Sequence, residues 1–204
     1  MSKILTEYEL ILDLIQFKNY DLFDIRKYRD KAINWEKVGG QLLSHRLGSL
    51  FYYSIMSLNI EKELRVPEEL MAAFGQIYEF QCLRLEARNK TLLELSSYLN
   101  DNRIKHAFLK GSVLSSTLYP AGTRASNDID ILIHPQDISV CEKSLKDMGF
   151  IQGEYDYVNN RVIRFSRKEI IFRRMNWGEI ASFVKRVGLP GLEYVFIDIN
   201  FSLD

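Results

Sequence analysis

The run Asn127-Asp128-Ile129-Asp130-Ile131-Leu132-Ile133 constrains this chain more than any other stretch. Successive side chains of a strand alternate between its faces, so Ile129, Ile131 and Ile133 fill one side while Asp128 and Asp130 share the other. Two like charges on one patch repel unless a cation offsets them. Hard oxygen donors with no cysteine or paired histidine nearby suit magnesium or manganese. A solvated strand end also carries acids, so the pair alone leaves both readings open.

Such a strand needs a core to bury its apolar face. With 204 residues, the chain can build one substantial core, or a helical subdomain packed on a mixed α/β one. Its 47% hydrophobic and 26% charged residues are those of a folded globular protein. The 27 basic and 27 acidic residues cancel, leaving no global field to attract a long nucleic acid or an anionic membrane. Cations do gather at Arg161, Arg164, Arg167, Lys168, Arg173, Arg174, Lys185 and Arg186, and these read as solvated faces or as a local basic patch. Cys82 and Cys141 lack paired spacing, which speaks for buried thiols and against structural zinc or a disulfide framework. The start lacks a basic region followed by an apolar stretch, and no run of about 18 apolar residues occurs, so a cytoplasmic protein is expected.

The first hundred residues read as helical, with apolar positions at three-to-four spacing over 8–17 and again from Trp35 through Ile55. Pro67-Glu68-Glu69 opens a long helix, because proline loses no needed hydrogen bond in a first turn and acids suit the positive end of the dipole. Leu70, Phe74, Ile77, Leu85, Leu92, Leu95 and Leu99 mark its apolar stripe to about Asn100, with Arg84, Arg88 and Lys90 outside it. Residues 1–100 thus form an expected helical subdomain, and 101–204 an expected α/β core. In the second part, strands are expected at 106–109, 129–133, 162–165, 170–173 and 194–201. A short helix follows the turn Lys110-Gly111-Ser112 and runs to about Leu118, stopped by Pro120, and another runs from Pro135 to Gly149 with Ile138, Cys141, Leu145 and Met148 inward.

Upstream of the acids, Phe108-Leu109-Lys110-Gly111-Ser112 puts a glycine bend between strand and helix. Glycine lets a phosphate approach the backbone, and the N–H groups opening the next helix attract anions. Ser112 adds a hydroxyl, or serves as a helix cap, and Lys110 is a phosphate partner or a solvated strand end. A third acid, Asp198, interrupts the apolar strand Val195-Phe196-Ile197-Asp198-Ile199, where an unpaired carboxylate would cost several kcal/mol. It therefore faces the acidic site or an exposed strand face. Asp156, Glu169 and Glu193 are rivals for its role, and Asp204 is terminal. His45, His106 and His134 are scattered, while Trp35, Trp177, Tyr52 and Tyr53 suit a core or an interface.

Together Gly111-Ser112, Asp128-Ile129-Asp130 and Asp198 resemble the nucleotidyltransferase superfold of DNA polymerase β. Leu109-Lys110-Gly111-Ser112, Leu118-Tyr119-Pro120, Arg124 and Ser126-Asn127-Asp128-Ile129-Asp130-Ile131-Leu132 look like the bacterial family of uncharacterised nucleotidyltransferases. The resemblance covers 66–150 well. It implies an α+β fold, with an N-terminal helical subdomain packed on a polymerase β-like mixed sheet flanked by helices. Family members usually continue past the third acid, so a chain stopping at Asp204 is expected to be either a fragment or a compact member without the C-terminal helices.

The implied activity is metal-dependent transfer of a nucleoside monophosphate from a nucleoside triphosphate to a hydroxyl or amine of a small molecule, peptide or protein, with release of pyrophosphate. Asp128, Asp130 and Asp198 would hold two magnesium or manganese ions. Lys110, Gly111, Ser112 and Arg124 would bind the phosphates, although Arg124 also suits a salt bridge that fixes its loop. The alternatives are a nucleotide-binding or protein-interaction module without turnover, and a toxin–antitoxin component. Base preference, acceptor and oligomeric state are not written in the residues.

Overall fold

The computed structural model describes residues 6–126, 128–177 and 180–201; Asn127 and Asp204 lie outside them, as does the side chain of Trp177. The chain is α+β, and divides into two compact units: Met1–Cys82 with Tyr119–Ala125, and Leu83–Leu118 with Ser126–Asp204. The composition changes at the end of the long helix, whereas the division between units falls inside it.

The first unit is helical. Its helices are α1 (Thr6–Leu14), α2 (Trp35–Ser44), α3 (Gly48–Leu58) and the first half of α4 (Glu68–Asp101). The periodic stretch from residue 35 to 55 is two helices rather than one, broken where Arg46 takes a left-handed φ of 56°. Leu10 and Leu14 of α1, Val38 and Leu42 of α2, Phe51 and Ile55 of α3, and Phe74 of α4 form its core. Trp35 packs edge-on against Phe51, and both Tyr52 and Tyr53 lie against Tyr78, as core and surface aromatics do. Residues 119–125 return to this unit, where the ring of Tyr119 lies 5.0 Å from that of Phe17.

The second unit is built on a six-stranded mixed sheet. In chain order its strands are β1 (His106–Phe108), β2 (Asp128–Ile133), β3 (Ile151–Asp156), β4 (Arg161–Arg164), β5 (Phe183–Leu189) and β6 (Leu192–Asn200). They lie in the order β1-β2-β6-β5-β3-β4. Only β2 and β6 run parallel, and every other neighbouring pair is antiparallel. One face carries the core: Ile129, Ile131, Ile133, Phe183, Ile197 and Ile199 pack with Leu95 and Leu99 of α4 and with Cys141 and Leu145 of α6 (Ile138–Asp147). Between β1 and β2 stands α5 (Lys110–Thr117).

Local chemistry sets the turns that deliver these strands. At the end of α4, Arg103 takes a φ of 58°, and the amide of Ile104 donates to Leu99 O while that of Arg103 donates to Asn100 O. This paired closure satisfies two orphan carbonyls and folds Ile104 onto Leu99. The same device ends α6, where Gly149 supplies a φ of 86° and Phe150 N donates to Leu145 O.

Four sequence expectations change. Residues 170–173 form no strand; they lie in helix α7 (Arg167–Trp177). Ser166 and Glu169 form a reciprocal capping box, Ser166 N donating to Glu169 and Glu169 N to Ser166 Oγ, and this outweighs the strand-like run Ile170-Ile171-Phe172. Strands β3 and β5 were not expected, because Gln152, Gly153 and Glu154 in one and Lys185, Arg186 and Gly188 in the other dilute the apolar alternation. Arg88 lies inside the second unit at 3% exposure instead of outside the stripe, hydrogen-bonding Ser115. Cys141 is buried as expected, but Cys82 is only half-buried.

Candidate active site

The acids meet because two strands run in parallel register. Asp130 of β2 sits opposite Asp198 of β6, and Asp128 sits opposite Phe196. Alternation then puts Asp128, Asp130 and Asp198 on the same face, away from the core isoleucines. Asp128 is exposed at the mouth of β2, Asp130 is 4% exposed, and Asp198 is half-buried.

A carboxylate as buried as Asp130 requires a partner. Lys110 supplies it, Nζ donating to Asp130 Oδ1 at 2.9 Å, with a long contact of 3.5 Å from Asn200 Nδ2. The hydrogen bond and charge of Asp130, then the charges of Asp128 and Asp198, push the Lys110 ammonium above its usual range. Asp198 Oδ1 accepts from Ser182 Oγ at 2.5 Å. Burial chiefly, with the charges of Asp130 and Asp128, holds the Asp198 carboxyl above the ordinary carboxylate range; the Ser182 hydrogen bond and Lys110 pull the other way. Lys110, Asp128, Asp130 and Asp198 therefore feel one another electrostatically, and Ser182 and Asn200 complete the cluster through hydrogen bonds. Ser182 and Asn200 are members that sequence reasoning missed. Asn200 carried a signal, two residues beyond Asp198 on the same face, whereas Ser182 carried none.

The helix α5 begins at Lys110, so Gly111 and Ser112 form its first turn rather than a bend before it. Leu109 N donates to Asp130 O at 2.9 Å, which fixes the head of α5 beside the acids. Lys110 adopts a left-handed φ of 45°, a conformation that costs a non-glycine residue about 1 kcal/mol or more and tends to persist where a site over-determines it. Gly111 sits in close approach to Ser126, whose side chain would have to turn aside for a Cβ. Ser112 Oγ is buried with no hydrogen-bond partner among the described residues. Behind this turn, Arg88 donates to Ser115 Oγ, which donates to Gly111 O at 2.5 Å. A buried cation thus stands under the start of α5, a role hidden in the sequence because Arg88 falls on what looks like the polar side of α4.

Arg124 belongs to the other unit, where its guanidinium lies 5.2 Å above the Tyr119 ring and its Nε is buried without a partner among the described residues. The rivals for the third acid each have local work. Asp156 accepts from the amides of Val158 and Asn159, Glu169 caps α7, and Glu193 pairs with Arg186 at 2.8 Å.

Among the described residues, no three His, Cys, Asp or Glu side chains are already gathered around a metal position. The donor set still fits a hard divalent cation, since Asp128, Asp130 and Asp198 offer only oxygens from one face. Among the described residues, no helix is long and apolar enough to cross a membrane.

A family model described as uncharacterised nucleotidyltransferase matches residues 31–203, spanning the helical unit after α1 and the whole sheet. The chain belongs to the uncharacterised nucleotidyltransferase family. Membership indicates a transferase whose donor is a nucleoside triphosphate. No curated protein and no solved structure matches the chain. In this nucleotidyltransferase the Lys110-Gly111-Ser112 turn and all three acids fall inside the matched span.

Proposed function

We propose that this nucleotidyltransferase moves a nucleoside monophosphate from a nucleoside triphosphate to a hydroxyl or amine of a small molecule, peptide or protein. The observation that carries this reading is the parallel pairing of Asp130 with Asp198, which brings an acid from 68 residues downstream into the Asp128–Asp130 face. A strand, a helix opened by Gly111-Ser112, an Asp-x-Asp strand and a third acid on its parallel neighbour are also what a polymerase β-like fold would present.

Asp128, Asp130 and Asp198 would hold magnesium or manganese. When bound, such ions orient the triphosphate and neutralise charge developing on the leaving pyrophosphate. The residues divide the remaining work. Ser112 Oγ and the amides opening α5 donate to the β- and γ-phosphates, with the helix dipole assisting. Lys110, two-thirds exposed, can exchange its bond to Asp130 for a phosphate oxygen. Asp198, whose carboxyl is held by burial above the ordinary carboxylate range, takes the proton from the acceptor. The acceptor oxygen or nitrogen then bonds to the α-phosphorus while the bond to the bridging oxygen of the β-phosphate breaks.

The Lys110–Asp130 ion pair also suits a second reading, a nucleotide-binding module without turnover. Pyrophosphate release from ATP, GTP, CTP and UTP, with magnesium or manganese, separates the two. Wild type should release pyrophosphate, and the Asp128→Ala, Asp130→Ala double variant should lose about 100-fold or more. Equal rates in both would remove these acids from the reaction.

A further inference from the structure

The sheet face that carries the acids also carries aromatic rings. Along β6, Tyr194, Phe196 and Asp198 alternate onto one side, so Phe196 lies about 7 Å and Tyr194 about 13 Å along the strand from Asp198. Tyr155 of β3 meets them, its ring centre 4.2 Å from that of Tyr194 and 6.5 Å from that of Phe196. Tyr157 stands edge-on to Tyr155 at 4.7 Å and is 77% exposed. None of these four rings is fully buried. The turn that presents Tyr157 is tied down by Asp156, whose carboxylate accepts from Val158 N and Asn159 Nδ2. Rings with an apolar body and a hydroxyl tip, fixed but left partly open, form a stacking platform rather than a core.

Its position says what stacks there. Displacement at a phosphorus is in line, with the attacking and leaving groups on opposite sides. In the proposed reaction, on which this inference rests, pyrophosphate leaves toward the head of α5, beside β1 and β2. The nucleophile therefore enters from the other side, over β6 and β5, where the rings stand. We propose that Tyr155, Tyr157, Tyr194 and Phe196 bind the acceptor, and that it is a ring-bearing small molecule. Its ring lies on Tyr194 and Phe196, and its attacking hydroxyl stands one strand repeat further on, at Asp198. That separation fits two linked rings, as in a nucleoside or a disaccharide, and does not fit a short acyclic alcohol. Both candidate sources share a flat or faceted ring with hydroxyls on a second ring.

The test is direct binding to the full chain with magnesium and the non-transferable donor α,β-methylene ATP, followed by saturation-transfer NMR and calorimetry. The probes are adenosine and maltose, with the acyclic polyol ribitol as control. Adenosine or maltose should bind with donor present and ribitol should not; which of the two binds distinguishes a nucleoside acceptor from a sugar one. Tyr194→Ala should weaken that binding roughly tenfold or more. Tyr157→Ala, on a side chain too exposed to endanger the fold, should weaken it several-fold, and Tyr194→Phe should restore most of the loss. Ribitol binding as well as the ring probes, or unchanged affinity in both alanine variants, would overturn the inference. So would displacement of the ring probe by the donor analogue, since the platform would then hold the donor's own base. Titration of the analogue alone judges the transfer reaction separately: failure there sinks the donor site, while the ring probes still decide the platform.

Discussion

The two faces of the β2–β6 pair are made of alternate residues from the same few positions, yet they obey different rules. On one face, Ile129, Ile131, Ile197 and Ile199 are nearly or fully buried and gain from leaving water. On the other, Asp128, Asp130 and Asp198 crowd like charges together and must be held in place by Lys110, Ser182 and the backbone. The core face therefore supplies the stability that the acidic face gives up. This is how a fold can keep a reactive cluster that it would not form for its own sake.

That contrast can be broken or sharpened by substitution. The largest effect belongs to the core face: Ile131→Ala, at a fully buried position, should lower unfolding free energy by about 2–5 kcal/mol in urea titration. A loss under about 1 kcal/mol would mean that the isoleucine face does not carry the sheet.

Asp198→Asn should change stability less, and in the opposite direction. A carboxyl raised in the folded state contributes stability that is full below the ordinary aspartate range and is lost as pH rises through the raised value. Asparagine cannot ionise, and it keeps an oxygen for Ser182. The variant should thus match wild type at low pH and melt at a higher temperature near neutral pH, while losing turnover. A variant less stable than wild type at neutral pH would show that Asp198 is a structural ion rather than a strained functional one.

The smallest effect is expected at Asp128, exposed at the strand mouth. Asp128→Asn should leave stability within about 0.5 kcal/mol by the same titration, despite its place among the acids. A larger change would extend the buried network to the strand's entrance.

Much of the site was legible because it lies in short sequence spans. Asp128 and Asp130 announce a strand with two sides, Pro67 and Asp101 bracket α4, and Gly149 ends α6. What escaped depends on neighbours distant in the chain. Arg88 reads as surface because helical spacing cannot show that α5 will cover it, and Ser182 precedes an ordinary strand start. Residues 170–173 were misread because apolar β-branched runs suit either structure. The capping box of Ser166 and Glu169, just before that run, decided the matter locally.

By itself, the sequence determined which residues alternate, where helices start and stop, and that three acids and a glycine-serine turn were present. Tertiary structure alone decided that β6 would lie parallel to β2 with Asp198 opposite Asp130, and that Lys110 would turn toward them. The reason is physical: periodicity is a property of neighbouring bonds, whereas strand register between residues 130 and 198 is chosen by how a whole core closes.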